Sequence, residues 1–290
     1  MKSRIRSILI DCIPPILLKV LKKFLRTKPA AQNPWQSLQI PAQSPLVLPG
    51  GKKFEFRPSV ADREVCRQVF INQDYDLKRL QRYGDIMGWY QQSEKPVIID
   101  AGANIGAASL WFSLTFPKAK IIAVEPDTGN FNVLSSNCRE VSNVIPLQAA
   151  IASAAGSLFL SDPGGGAWAY RTTNVESPES YVVKAMTIEE IFEFSESGTP
   201  FILKIDIEGA EADLFSRHSE LFNKFPLIII ELHDWMLPSE GTSTHFLRWH
   251  TEKNRDFVHI NENIFSISND FHRSVSKNLY GSCNVDKVEN

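Results

Sequence analysis

Cysteine is scarce in this chain and badly placed for crosslinking: four residues among 290, at Cys12, Cys66, Cys138 and Cys283, with no C-x-x-C and no paired spacing. That pattern excludes a disulfide framework and a zinc cluster and points to a reducing, cytoplasmic compartment. The six histidines include no H-x-x-x-H pair, and His245 and His250, five apart, would not share a helix face. The sequence therefore carries no metal signature. It also has no internal repeat, and no apolar run of the roughly 20 residues that a membrane span needs.

Net positive charge is confined to one end of the chain. The formal net charge is −2, but residues 1–28 alone carry eight Lys and Arg against one Asp, which leaves the remainder at −9. An acidic body lacks the basic groove that a phosphate backbone requires, so nucleic acid is disfavoured as a partner. Within residues 1–28, Ile5, Ile8, Leu9, Cys12 and Ile13 follow one helical face, Pro14 and Pro15 interrupt it, and Leu17, Val20, Leu21, Phe24 and Leu25 resume it. Lys19, Lys22, Lys23 and Arg26 line the opposite side. The arm reads as two short amphipathic helices that neither span a membrane nor form a cleavable signal. Either it lies in the plane of an anionic inner leaflet, which would make the protein peripheral there, or it packs on its own domain or on a partner subunit.

What the sequence does have is ordered from the arm onward. Residues 29–45, rich in Pro and Gln, read as a linker. Residues 46–95 read as a hairpin turning at Gly50 and Gly51 followed by helical material. From Pro96 the pattern alternates. VIID, KIIAVEP, NVIPLQAAI, FILKIDI and LIIIELH read as strands, and IGAASLWFSLTF and TGNFNVLSSNCREV as helices between the first of them. Continuous apolar, β-branched runs mean strands buried on both faces. The fold class is therefore α/β, a doubly wound and mostly parallel sheet with an N-terminal helical arm and hairpin. Such sheets bind ligands beyond the carboxyl ends of their strands.

The first crossover, DAGANIGAASL, offers Gly102 and Gly106 for a tight path and a helix start that faces an anion or carboxylate. A dinucleotide loop would read G-x-G-x-x-G, whereas this one reads G-x-N-x-x-A. Asn104 stands where a pyrophosphate needs bare backbone, which disfavours a nicotinamide cofactor. Glu125 follows Gly106 by 19 residues, near the spacing at which an acid takes ribose hydroxyls, so a nucleoside ligand is expected.

DAGANIG, AVEPD, AAIASAAGSLFL, KIDIEGAE, the upstream VFINQDYDL and the TIEEI turn together resemble the FkbM-type S-adenosylmethionine-dependent methyltransferases, over roughly Leu46 to Asp234. The resemblance implies a Rossmann-like class I methyltransferase fold and O-methylation with S-adenosylmethionine, and the methyltransferase domain is expected over residues 96–290. It implies that Asp100, Gly102, Asn104 and Gly106 surround the methionine part of the cofactor. Glu125, with Pro126 and Asp127 beside it, would hold the ribose, Ala149 and Ala150 would pass near the adenine, and Asp206 would face the methyl group. Ala101 departs conservatively from the Val or Ile common there.

The residues also argue for this chemistry on physical grounds. Carboxylates at strand ends suit a sulfonium cation, and an unactivated alcohol profits from a base within hydrogen-bond reach. The candidate catalytic groups are Asp206, Glu208, Glu231 and His233, with Glu211 as a further candidate base. Alternation along KIDIE would send Asp206 and Glu208 to one side of the sheet if the strand persisted that far. Glu211 would open the next helix, where its charge is favourable anyway. Ser161 to Ser180 interrupts the core with three glycines, Trp168, Tyr170 and Arg171, and reads either as a flap over the site or as a surface excursion. TIEE from Thr187 fits a capping box. The expected acceptor is a hydroxyl, most readily a sugar in a glycan or lipid-linked intermediate given the basic arm. The alternatives are a soluble polyketide-like metabolite and a nucleoside-binding module without turnover.

Overall fold

A computed structural model describes residues 35, 37–161, 171–173, 178, 180–217 and 219–270. The amphipathic arm lies outside the described residues, as do residues 29–34 and 36 of the linker and the Trp168 and Tyr170 region. The chain divides into two units, Met1–Leu38 and Gln39–Asn290; the description that follows concerns the second.

A short hairpin comes first, β1 (Leu46–Val47) against β2 (Lys53–Phe54). Gly50 and Gly51 turn it at φ of 85° and 82°. Helix α1 (Val60–Cys66) starts at Ser59, whose side chain accepts from the Asp62 amide, and runs on through a π-turn over Arg67–Ile71. A second helix, α2 (Tyr83–Gln92), leads to the sheet. Hydrogen bonds tie the hairpin to the core: the Glu55 amide donates to Asn137 Oδ1 at 2.7 Å, and Arg57 Nη2 donates to Asn130 Oδ1 at 2.6 Å.

The central sheet uses β3 (Pro96–Ala101), β4 (Lys120–Val124), β5 (Val144–Leu147), β10 (Thr199–Ile205), β11 (Leu227–Glu231), β12 (Arg255–Ile260) and β13 (Asn263–Ser268). Their spatial order is β12-β13-β11-β10-β3-β4-β5. The five strands from β5 across to β11 are parallel, and β13 runs antiparallel to both β11 and β12. Helix α3 (Ala107–Thr115) links β3 to β4, and α4 (Thr128–Cys138) links β4 to β5. Every residue of β3 is buried, as the unbroken apolar run predicts for a strand covered on both faces. On one face Val97, Ile99 and Ala101 join a core with Phe215, Phe222, Phe246 and Trp249. On the other, Phe201 stacks on Trp89 with ring centres 5.2 Å apart and meets Phe116 edge-on at the same distance.

Between β5 and β10 the chain builds a second sheet of order β6-β9-β7-β8, from β6 (Ala150–Ile151), β7 (Gly156–Ser161), β8 (Arg171–Thr173) and β9 (Tyr181–Met186). The sequence reads NVIPLQAAI as one strand; the structure divides it. β5 pairs with β4 through Leu147, after which Ala150 and Ile151 pair with Ala185 and Met186. The apolar run continues across the break because both sheets bury it, so hydrophobicity alone does not mark where the chain changes partners. Helix α5 (Ile188–Glu193) opens with the capping box of Thr187 and Glu190. Three further helices, α6 (Glu211–Leu214), α7 (Glu220–Lys224) and α8 (Thr244–Thr251), complete the second unit. Cys66 and Cys138 are buried free thiols. Among the described residues no helix is long and apolar enough to cross a membrane.

Candidate active site

Parallel strands β3, β4 and β10 end side by side, and their loops line an open cleft. Gly102, Asn104, Glu125, Ala150, Asp206 and Glu208 line it, with Pro126, Asn130, Ala149 and Thr172. Gly102 is where the β3 and β10 ends meet. Its φ is 78°, and a Cβ there would fall 1.7 Å from the Asp206 backbone oxygen, so no other residue admits this approach.

Beneath the cleft lies a buried cation. Lys204 Nζ sits 3.2 Å from Asp100 Oδ1 and 3.4 Å from Asp206 Oδ2, and donates to the Gly102 carbonyl at 2.7 Å. Burial works against its charge, but Asp100 and then Asp206 outweigh that effect and push the amine above its ordinary value. Asp100 is itself fully buried and accepts from Ser109 Oγ at 2.6 Å.

At the β4 end, Glu125 accepts from the Asn104 amide at 2.8 Å and from the Asp127 amide at 2.9 Å. Burial, with a smaller contribution from the Asp127 charge, raises its pKa to about 7 against the pull of those amides. Asn104 has a φ of 50°, and its buried side-chain Oδ1 has no hydrogen-bond partner. A buried acceptor left open at the wall of a cleft calls for a ligand donor, and the amino group of S-adenosylmethionine is one.

A second, larger cleft adjoins the first and shares Asn104, Asp206 and Glu208 with it. Its own lining includes Gln68, Glu231, His233, Trp235 and Glu262. His233 is 1% exposed, and its two nitrogens have different tasks. Nδ1 stands 2.8 Å from Glu211 Oε1, while Nε2 faces Glu208 Oε2 at 3.5 Å, Glu231 Oε1 at 3.6 Å and Asp206 Oδ1 at 3.7 Å. Burial disfavours the imidazolium, but the hydrogen bond and charge of Glu211, then Asp206 and Glu208, raise its pKa to about 9. Burial first and the Asp206 charge second raise Glu208 and Glu231 to about 8 each.

The candidate residues from the sequence are thus divided. Gly102, Asn104, Glu125, Pro126, Ala149, Ala150 and Asp206 line the first cleft, and Glu208, Glu231 and His233 join Asp206 at the second. Asp100, Gly106 and Asp127 do not line it and instead shape it from behind. Asp100 holds Lys204 and Ser109, and Gly106 packs against Leu134 at the start of α3. Asp127 caps α4 by accepting from the Asn130 amide at 2.6 Å and takes the Tyr181 hydroxyl at 2.7 Å on its other oxygen. The alternation expected for Asp206 and Glu208 also fails, because β10 ends at Ile205 and Glu208 adopts a left-handed φ of 55°. The two carboxylates converge through a turn rather than a pleat. Lys204 was not among the expected site residues. A lysine inside the apolar run PFILKI is the signal that could have found it, since a buried amine demands paired carboxylates.

A sheet of this order, with one reversed strand near the edge and an open cleft over the carboxyl ends, defines a Rossmann-like class I methyltransferase fold. The chain belongs to the family of the methyltransferase FkbM domain, whose model matches residues 100–261. It is 29% identical over 153 residues to the hexuronic acid methyltransferase AglP of Haloferax volcanii, an overlap covering 52% of this chain and 62% of that protein. It is 28% identical over 183 residues to the methyltransferase sdnD of Sordaria araneosa, covering 52% and 66%. The match thus spans less than two thirds of either relative. Among solved structures, the METTL16 MTase domain overlaps at a TM-score of 0.40 and 11% identity, over 77% of this chain and 86% of that one. S-adenosylmethionine is the cofactor of this family and fold, and the open Asn104 acceptor and the Gly102 approach suit it.

Proposed function

We propose that the chain transfers a methyl group from S-adenosylmethionine to a hydroxyl of a carbohydrate. The observation that carries this reading is the wall shared by the two clefts: Asn104, Asp206 and Glu208 face the glycine-loop cleft on one side and a larger, carboxylate-rich space on the other. When bound, the cofactor supplies an electrophilic methyl on a sulfonium. The rest is done by the chain. Glu125, its carboxylate fixed by two amides, takes the ribose hydroxyls; Asn104 Oδ1 takes the amino group; Ala149 and Ala150 leave room for the flat base. Asp206, on the shared wall, orients the acceptor hydroxyl and takes its proton as oxygen, carbon and sulfur come into line.

The relative named for hexuronic acid supports a sugar acceptor, as does Trp235, an exposed indole on the second cleft that offers a face for a sugar ring. The basic arm would bring that site to a lipid-linked glycan at an anionic surface, a role that its sequence pattern supports. The test is transfer of labelled methyl from S-adenosylmethionine by the full chain to a panel of hexuronides, neutral glycosides and phenolic polyketide mimics. Label on a sugar oxygen, located by a methyl-sized mass shift, is the expected result. Label confined to the phenols would replace the carbohydrate reading with the small-metabolite one.

A further inference from the structure

The second cleft holds a donor set that the methyl-transfer reading does not by itself require. Asp206 and Glu208 leave the end of β10, and His233 leaves the end of β11. One donor atom from each of the three lies within 4.8 Å of the other two. The set is mixed, one imidazole nitrogen with two carboxylates, and its histidine is held as metal-ligating histidines are. Glu211, fully buried, takes Nδ1 at 2.8 Å and so fixes the ring with Nε2 directed at the carboxylates.

The distances matter next. Nε2 stands 3.5 Å from Glu208, 3.6 Å from Glu231 and 3.7 Å from Asp206, with no hydrogen bond made to any of them. A hydrogen bond would draw one oxygen in to about 2.9 Å. Donors about 2.1 Å from a common ion stand about 3.0 Å apart when adjacent and about 4.2 Å apart when opposite. The three separations from Nε2 fall between those two limits. A buried imidazole nitrogen thus faces three carboxylates across gaps wide enough for a shared cation.

We propose that Asp206, Glu208 and His233 bind a divalent metal ion at the wall between the two clefts, with Glu231 beside it. Nitrogen and carboxylate donors together suit manganese, iron(II) or zinc more than calcium. The ion would sit where the acceptor oxygen must arrive, so it would take that oxygen as a further donor and favour loss of its proton to a neighbouring carboxylate. The oxygen lone pair then forms the bond to the methyl carbon, the carbon–sulfur bond breaks, and its electron pair returns to sulfur as a neutral thioether. The sequence hides this site because its donors come from two strand ends: Asp206 and Glu208 are two residues apart across a turn, and His233 lies on a different strand.

The proposal rests on the methyl-transfer reading for its catalytic meaning but not for its test. Full-length protein, stripped with chelator and dialysed, is titrated with Mn²⁺ while the electron paramagnetic resonance signal of the free ion is followed. One equivalent should bind, and His233→Gln and Glu208→Gln should each weaken it at least tenfold. His233 does not line the cofactor cleft, so His233→Gln should keep its affinity for S-adenosylhomocysteine, which verifies folding; if it does not, Glu208→Gln decides. Absence of Mn²⁺ binding by the stripped wild type, or affinity unchanged in both variants, overturns the metal site and leaves the methyl-transfer reading standing. Failure to bind S-adenosylhomocysteine alongside normal Mn²⁺ binding would do the reverse.

Discussion

Replacing Lys204 by methionine should lower the melting temperature by about 10 °C. The side chain lies almost wholly buried between Asp100 and Asp206 and also donates to the Gly102 carbonyl. Methionine keeps most of the volume and removes the charge, so the loss is electrostatic. Taking one partner from a buried ion pair costs about 3 to 5 kcal/mol, because the remaining charge stays buried without compensation. In a domain of this size each kcal/mol moves the midpoint by about 2 to 4 °C. The second substitution Asp100→Asn, added to Lys204→Met, should recover part of the loss. A thermal scan showing a shift below about 2 °C would mean that Lys204 does not hold the two strand ends together.

Asp206→Asn should reduce turnover by about 10³-fold, within the range that a positioned base contributes, while affinity for S-adenosylhomocysteine changes less than tenfold. Asparagine preserves shape and can still pair with neighbours, but it accepts no proton and offers Lys204 no charge. Asp206 belongs to both clefts, yet its carboxylate faces His233 Nε2 on the acceptor side at 3.7 Å. Steady-state kinetics paired with calorimetry separates the two effects. Turnover within tenfold of the wild type would remove Asp206 from the chemistry; a parallel collapse of cofactor affinity would reassign it to holding the cofactor.

Much of this architecture is legible in the sequence, for reasons that can be named. VIID, KIIAV, FILKI and LIIIE are apolar on both faces because both faces are covered, and that pattern survives any detail of packing. The glycine of DAGAN is legible because a positive φ and a close backbone approach leave glycine as the choice at Gly102. Glu125 is legible by its spacing from that loop. What was hidden depends on turns and on partners distant in sequence. Asp127 looks like a ligand residue beside Glu125 but is committed to capping α4 and to Tyr181. Glu211 looks like an ordinary first-turn acid, yet it is fully buried against His233, 22 residues away. Asp206 and Glu208 were recognised by chemistry, while the left-handed turn that brings them together at one imidazole leaves no periodic trace. The acceptor side is the least legible part because Gln68, Trp235 and Glu262 reach it from three separate stretches.

The most direct test of the central claim, that the glycine-loop cleft receives the nucleoside of a sulfur cofactor on Glu125, is a calorimetric titration of S-adenosylhomocysteine at pH 6 and at pH 8. With the free Glu125 carboxyl at about 7 and the ribose requiring its ionised form, protonation competes with binding on the acid side. Affinity should therefore rise about tenfold from pH 6 to pH 8, and Glu125→Gln should bind more weakly with no such dependence. Tight binding that ignores pH in the wild type and survives the substitution, or no binding at all, would contradict the account.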